Sequence, residues 1–151
     1  MGTFDEDVFE SVFVEIERSG GLRNDIVGAV YRPPRGDLRG FTAEMAQLLQ
    51  QLHGTDMYII GDFNVDLLRL DAHRPRSDFL GELTSGGFYP LISLQTRLTD
   101  TTATLIDSIW TNKVEEKTKS GLVTVRVADH LPIFAFVGGV GAVVGSRGKE
   151  R

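Results

Sequence analysis

The sequence predicts an α/β domain with a mixed β-sheet flanked by helices, and three stretches predict it. Residues 8–17 alternate apolar and polar side chains with period two. Residues 42–52 carry Met45, Leu48, Leu49 and Leu52 at helical spacing. Residues 57–60 form a short apolar run that stops at Gly61. The links between such elements suit hairpins in some places and crossovers in others, which favours a mixed sheet over segregated strands and helices.

In the first stretch, Val12, Val14 and Ile16 share one face of a strand, and Phe13, Glu15 and Glu17 share the other. Ser19-Gly20-Gly21 reads as its hairpin turn. Residues 26–31 (IVGAVY) form a second strand, which its composition predicts to be buried on both faces. Pro33-Pro34 and Gly36 end it. Thr42 is placed to cap the first helix. Residues 57–60 read as a central strand. Residues 77–83 read as a short helix stopped by Gly86-Gly87. Residues 89–94 are a further strand candidate, and residues 105–110 and 122–127 read as a strand pair around the charged segment 113–119. Residues 131–137 form the last strand. The domain is therefore drawn at 8–137, with 138–151 as a Gly-rich, then basic, tail without periodicity.

The 151 residues fit one domain, and 41% hydrophobic content supports a packed core. The absence of cysteine excludes disulfide scaffolding and thiolate metal sites. No apolar run is long enough to span a bilayer, and the acidic start at Asp5-Glu6-Asp7 is unlike a signal peptide. The expected location is intracellular, nuclear or cytoplasmic. A net charge of −5 argues against strong unspecific affinity for phosphate backbones, although clustered metal-binding carboxylates also lower the pI.

Four motifs can carry chemistry. Gly61-Asp62-Phe63-Asn64 follows the apolar run, at the strand end where α/β sheets place their sites. With period two, Asp62 and Asn64 would face one side together, a carboxylate for Mg²⁺ or a water beside a carboxamide. The alternative is a loop with turn-forming Asp and Asn. In Asp129-His130-Leu131-Pro132 the imidazole can act as a general acid or base, or simply sit at the surface where a strand starts. Asp107 lies among Leu105, Ile106, Ile109 and Trp110, where a carboxylate needs a partner, with histidine a natural one, or else an outward-facing strand position. Tyr31, in Tyr31-Arg32-Pro33-Pro34, can offer its hydroxyl to a phosphate or cap the core beside a rigid turn. His53 and His73 read as structural, and Arg69, Arg74 and Arg76 as parts of a solvated loop.

Taken in order, these four motifs resemble the endonuclease/exonuclease/phosphatase superfamily. The flanking Phe9-Glu10-Ser11-Val12-Phe13-Val14-Glu15-Ile16 and Ala103-Thr104-Leu105-Ile106-Asp107 resemble the endonuclease domains of LINE-type (non-LTR) retrotransposon reverse transcriptase proteins. The resemblance covers about residues 8–137. It implies a deoxyribonuclease-like four-layer α/β sandwich, here a partial one, and Mg²⁺- or Mn²⁺-dependent nicking of DNA. It implies that Asp62 orients or deprotonates the attacking water and contributes to the metal site. Asn64 would hold that carboxylate and the phosphate, Asp107 and His130 would stabilise the transition state, Asp129 would help hold the metal, and Tyr31 would donate to a phosphate oxygen. Members of the superfamily begin with strands carrying an Asn and a metal-binding Glu, and neither is found ahead of Val8. The expectation is an N-terminally truncated domain, weak or inactive alone, with an uncovered sheet that recruits a second copy or another chain. The alternative is a catalytically dead binding or assembly module, with a phosphomonoesterase as a third option.

Overall fold

The computed structural model describes residues 8–113, 118–125 and 128–137. The expected tail at 138–151, residues 114–117 of the charged segment and the end of the expected strand at 126–127 lie outside the described residues.

Strand β1 (Glu10–Ile16) pairs antiparallel with β2 (Asp25–Tyr31). The connection turns through Gly20 and Gly21, whose φ angles of +80° and +73° suit glycine. Helix α1 (Leu38–Gln51) carries the chain back across the sheet to β3 (Asp56–Asp62), which runs parallel to β2. Next come a 3-10 turn (Leu70–Ala72), helix α2 (Arg74–Ser85), and the short strands β4 (Tyr89–Pro90), β5 (Arg97–Leu98) and β6 (Ala103–Thr104). Strand β7 (Asp107–Thr111) inserts between β3 and β4, antiparallel to both. The main sheet has the order β1-β2-β3-β7-β4, so β3 is its centre. Two ribbons complete the fold: β5 with β6, and β8 (Lys119–Leu122) with β9 (Ile133–Phe136). The class is α/β with a mixed sheet. Among the described residues, no helix is long and apolar enough to cross a membrane.

Several local expectations need correction. Helix α1 starts at Leu38, and its cap is Asp37, whose carboxylate accepts from the backbone N–H groups of Arg39 (3.0 Å) and Gly40 (3.1 Å). Thr42 lies inside the helix and donates to the Leu38 carbonyl instead. Leu38 and Phe41 extend the apolar spacing of Met45, Leu48 and Leu49 back into the first turn, ahead of the expected start at Thr42. Helix α2 is longer than 77–83, because Pro75 is accommodated in its first turn, where no N–H is needed. The strand expected at 89–94 reduces to two residues. The segment at 105–110 does not pair with the one at 122–127: β7 pairs with β3 and β4, and β8 with β9. Strand β2 is closed on one face only, since Ala29 and Tyr31 are exposed.

The main core lies between the sheet and the two helices. Phe9, Phe41, Phe63, Phe79 and Trp110 form a continuous aromatic chain with centroid separations from 5.1 to 6.3 Å. Alternation sends Ile60 and Ile109 to the opposite face, where they meet Ile133 and Ala135 of β9 in a second, smaller cluster. The β1 side of that face is open, with Val12, Val14 and Ile16 59%, 52% and 48% exposed.

Gly61 fits because β2 and β3 approach closely: Val30 is its partner in the register, and a Cβ at position 61 would be driven into the Val30 carbonyl. Gly61→Ala is expected to cost about 3 kcal/mol, read from the urea midpoint at constant slope. An unchanged midpoint would mean that the two strands do not approach as described.

Candidate metal and phosphate site

The site is assembled by register. Tyr31 of β2 lies opposite Asp62 of β3, and Asp62 lies opposite Asp107 of β7, so these three positions stand abreast at one end of the sheet. Alternation places Asp62 and Asp107 on the same face as Ile60 and Ile109, away from the helices. His130 arrives from the segment before β9, anchored by a β-bridge to Arg97. Its Nδ1 lies 3.0 Å from both carboxylate oxygens of Asp107. Ligand atoms of Asp62, Asp107 and His130 all fall within 4.8 Å of one another.

The carboxylate of Asp62 sits in a corner. Strand β3 ends there, and Asn64 adopts φ +49°, a left-handed conformation that asparagine tolerates better than most residues. Asn64 is therefore off the strand, so period two does not set its direction. Its backbone N–H reaches back to Asp62 Oδ1 (3.0 Å), while its carboxamide donates to the Arg32 carbonyl (2.8 Å). Burial pushes the Asp62 carboxyl above its ordinary pKa, and Asp107 adds to that; the Asn64 backbone N–H, His130 and the Asn64 side chain oppose it.

Asp129 points elsewhere. Its carboxylate accepts from Arg97 Nε at 2.7 Å, it is exposed, and that hydrogen bond holds its pKa below the usual carboxylate range. It is not part of the three-residue cluster. Tyr31 is 43% exposed on the open face, beside Asp62 in the register. His53 and His73 lie outside the site, one after α1 and the other before α2. Arg69 pairs with Asp66, and Arg74 with Asp78.

Two residues that sequence reasoning passed over organise the site. Thr96 is fully buried, and its hydroxyl accepts from the N–H groups of Ile106 (3.2 Å) and Asp107 (3.0 Å). Its carbonyl accepts from Leu131 (2.7 Å), which ties the Asp107 strand to the His130 segment. Arg32 is 3% exposed and bonds to the carbonyls of Phe63 and Asn64. The available signal was an arginine flanked by a strand and a proline turn, a position that need not be on the surface.

Two carboxylates and an imidazole at one end of a sheet form a donor set that fits a hard or borderline divalent ion such as Mg²⁺ or Mn²⁺, with water completing the shell. No protein-family model matches the sequence, and no curated protein matches it. Solved structures match in fold. The endonuclease domain of TRAS1, a telomere-specific non-LTR retrotransposon, aligns with a TM-score of 0.64 at 14% identity, over 83% of this chain and 60% of that one. An endonuclease/exonuclease/phosphatase family protein from Leptotrichia buccalis C-1013-b gives 0.59 at 16%, over 85% and 54%. A mutant of beta toxin from Staphylococcus aureus with bound magnesium ions gives 0.55 at 16%, over 85% and 53%. The chain spans 53–60% of the length of these structures, and its α/β architecture matches that part of the endonuclease/exonuclease/phosphatase fold.

Desolvation of Asp62 has a consequence for stability. Its folded-state pKa is raised, so its contribution to stability is full below the unfolded pKa and lost as pH rises through the folded one. Asp62→Asn keeps an acceptor for the Asn64 N–H and removes the buried charge. In EDTA at pH 7.5 it is expected to raise Tm, on the order of 2 °C for a carboxylate that keeps part of its hydration. Calorimetry between pH 3 and 8 should show the gain vanish in acid. A Tm below wild type at pH 7.5 would contradict the stated origin of the shift.

Proposed function

We propose that the chain is a divalent-metal-dependent phosphodiesterase domain that nicks DNA, of the kind found in non-LTR retrotransposon proteins. The observation that carries this reading is the meeting of Asp62, Asp107 and His130 within 4.8 Å. The likeness in fold to the TRAS1 endonuclease domain supports the choice of DNA. Asp62 and Asp107 would hold Mg²⁺ or Mn²⁺, which supplies charge neutralisation at the phosphate. Asp62 also takes a proton from the attacking water. The Nδ1 of His130 is committed to Asp107, so Nε2 is the ring nitrogen left to meet a phosphoryl oxygen. Tyr31, abreast of Asp62, offers its hydroxyl to the same phosphate. Asn64 acts on Asp62 through its backbone N–H and its side chain, and Asp129 reaches a metal only by leaving Arg97.

Supercoiled plasmid with Mg²⁺ or Mn²⁺ tests this directly. Nicking should stop with EDTA and fall by about 10²–10³ in Asp62→Ala and His130→Ala. Bis-p-nitrophenyl phosphate should be cleaved in preference to p-nitrophenyl phosphate; the reverse order would favour a phosphomonoesterase. Equal nicking by wild type and Asp62→Ala would sink the enzyme reading.

A second reading, an assembly module without chemistry, is favoured by the open apolar face at Val12, Val14 and Ile16. Its occupant would be a second copy of the chain. Light scattering is expected to show a dimer that Val14→Lys converts to monomer. A monomeric wild type, together with metal-dependent nicking, would leave only the first reading.

A further inference from the structure

We propose that Arg32 is a positioning residue for the Asp62–Asn64 corner, a buried fork that sets the direction of the Asp62 carboxylate. This rests on the phosphodiesterase reading above. Arg32 makes five hydrogen bonds, and four go to residues 62–64. Its backbone N–H donates to the Asp62 carbonyl (2.9 Å), and its own carbonyl accepts from Asn64 Nδ2 (2.8 Å). Its Nε donates to the Phe63 carbonyl (2.8 Å), and its Nη2 to the Asn64 carbonyl (2.7 Å). The fifth bond, from Nη1 to the Gly36 carbonyl (2.8 Å), fixes the guanidinium to the turn that follows β2. The guanidinium carbon lies 5.8 Å from the centre of the Phe41 ring, which closes it off from the helix side.

Three features make this more than a buried arginine. First, the position is costly: Arg32 is 3% exposed, and burial pushes its pKa down against the pull of Asp62 and Asp37. Among the described residues, no carboxylate pairs with it directly. Its compensation comes from three backbone carbonyls and a ring. Second, the segment it grips turns through a left-handed residue. Asn64 is the one described non-glycine residue with positive φ, and its N–H is the donor that reaches Asp62 Oδ1. Third, the grip depends on shape. Adjacent carbonyls at 63 and 64 are met by two different nitrogens of one planar group, and a lysine ammonium cannot reproduce that fork together with the bond to Gly36. Charge alone is therefore not the function of this side chain.

The experiment compares Arg32→Lys with Leu83→Ala, a core truncation in α2 remote from the corner that lowers stability by packing loss alone. Hydrogen exchange by NMR reads the Asn64 backbone amide. Steady-state nicking with Mg²⁺, well below every melting point, reads kcat and KM. Arg32→Lys is expected to expose the Asn64 amide and to lower kcat about 10–100-fold with KM changed less than about 3-fold. Leu83→Ala should lower Tm with neither effect. Retained Asn64 protection in Arg32→Lys, or a fall in kcat no greater than in Leu83→Ala, overturns the proposal. If the wild-type chain does not nick, the functional reading fails separately, while exchange still decides the clamp. Should Arg32→Lys not fold, the Arg32 Nε–H in the wild type decides it: slow exchange supports the fork, and fast exchange refutes it.

Discussion

The registers of β2 on β3 and of β3 on β7 are the constraints on which the site depends. A parallel pair places Tyr31 beside Asp62, and an antiparallel pair places Asp107 on the other side of it. A slip of one residue in either pairing would turn a whole strand over and send an acid into the aromatic core. The register is protected from both directions. Gly61 admits the close approach to Val30, and Ile59, Trp110 and Phe63 commit the helix-facing side to the core. The acids face outward because their neighbours one residue away have nowhere else to go.

Electrostatically, the site is built from groups that each limit the others. Asp62 and Asp107 repel, and burial adds to the cost of ionising Asp62. His130 opposes that cost at Asp62, and its contact with Asp107 fixes which nitrogen remains available. Arg32, underneath, acts on the backbone, so that its charge is spent largely on carbonyl oxygens. A cation at the mouth would complete what these residues leave unbalanced, two carboxylates against one imidazole. Asp129 illustrates the opposite case: an exposed acid with a nearby arginine satisfies itself locally and leaves the cluster.

Much of this was legible in the sequence, and the parts that were not share a cause. Period two located β1, helical spacing located α1, apolar runs located β2 and β3, the Gly86-Gly87 stop marked the end of α2, and motif order brought Asp62, Asp107 and His130 into one list. Pairing partners were not legible, because an apolar run carries no mark of its neighbour; hence the misassigned partner of β7. The direction of Asn64 was not legible from period two, which holds only while the strand lasts, and β3 stops at Asp62. Thr96 and Arg32 were passed over for a related reason. Their importance lies in bonds to backbone groups far along the chain, which side-chain pattern does not encode.

The two faces of the main sheet stand in different conditions. The helix face is sealed by aromatic contacts, whereas the site face is covered by β9 only near Ile60 and Ile109. Asp62 and Asp107 lie directly beyond that covered patch, on the same strands and the same side. Tyr31 and Ala29 lie on the uncovered side of Asp62. Any layer laid over Val12, Val14, Val27 and Ala29 would therefore remove water from the flank of Asp62 as well as from the apolar strands. Desolvation already dominates the pKa of that carboxylate. A layer over the open face would thus act on the same side chains of β2 and β3 that border Asp62, and it would add to the desolvation of that carboxylate without any movement of the strands.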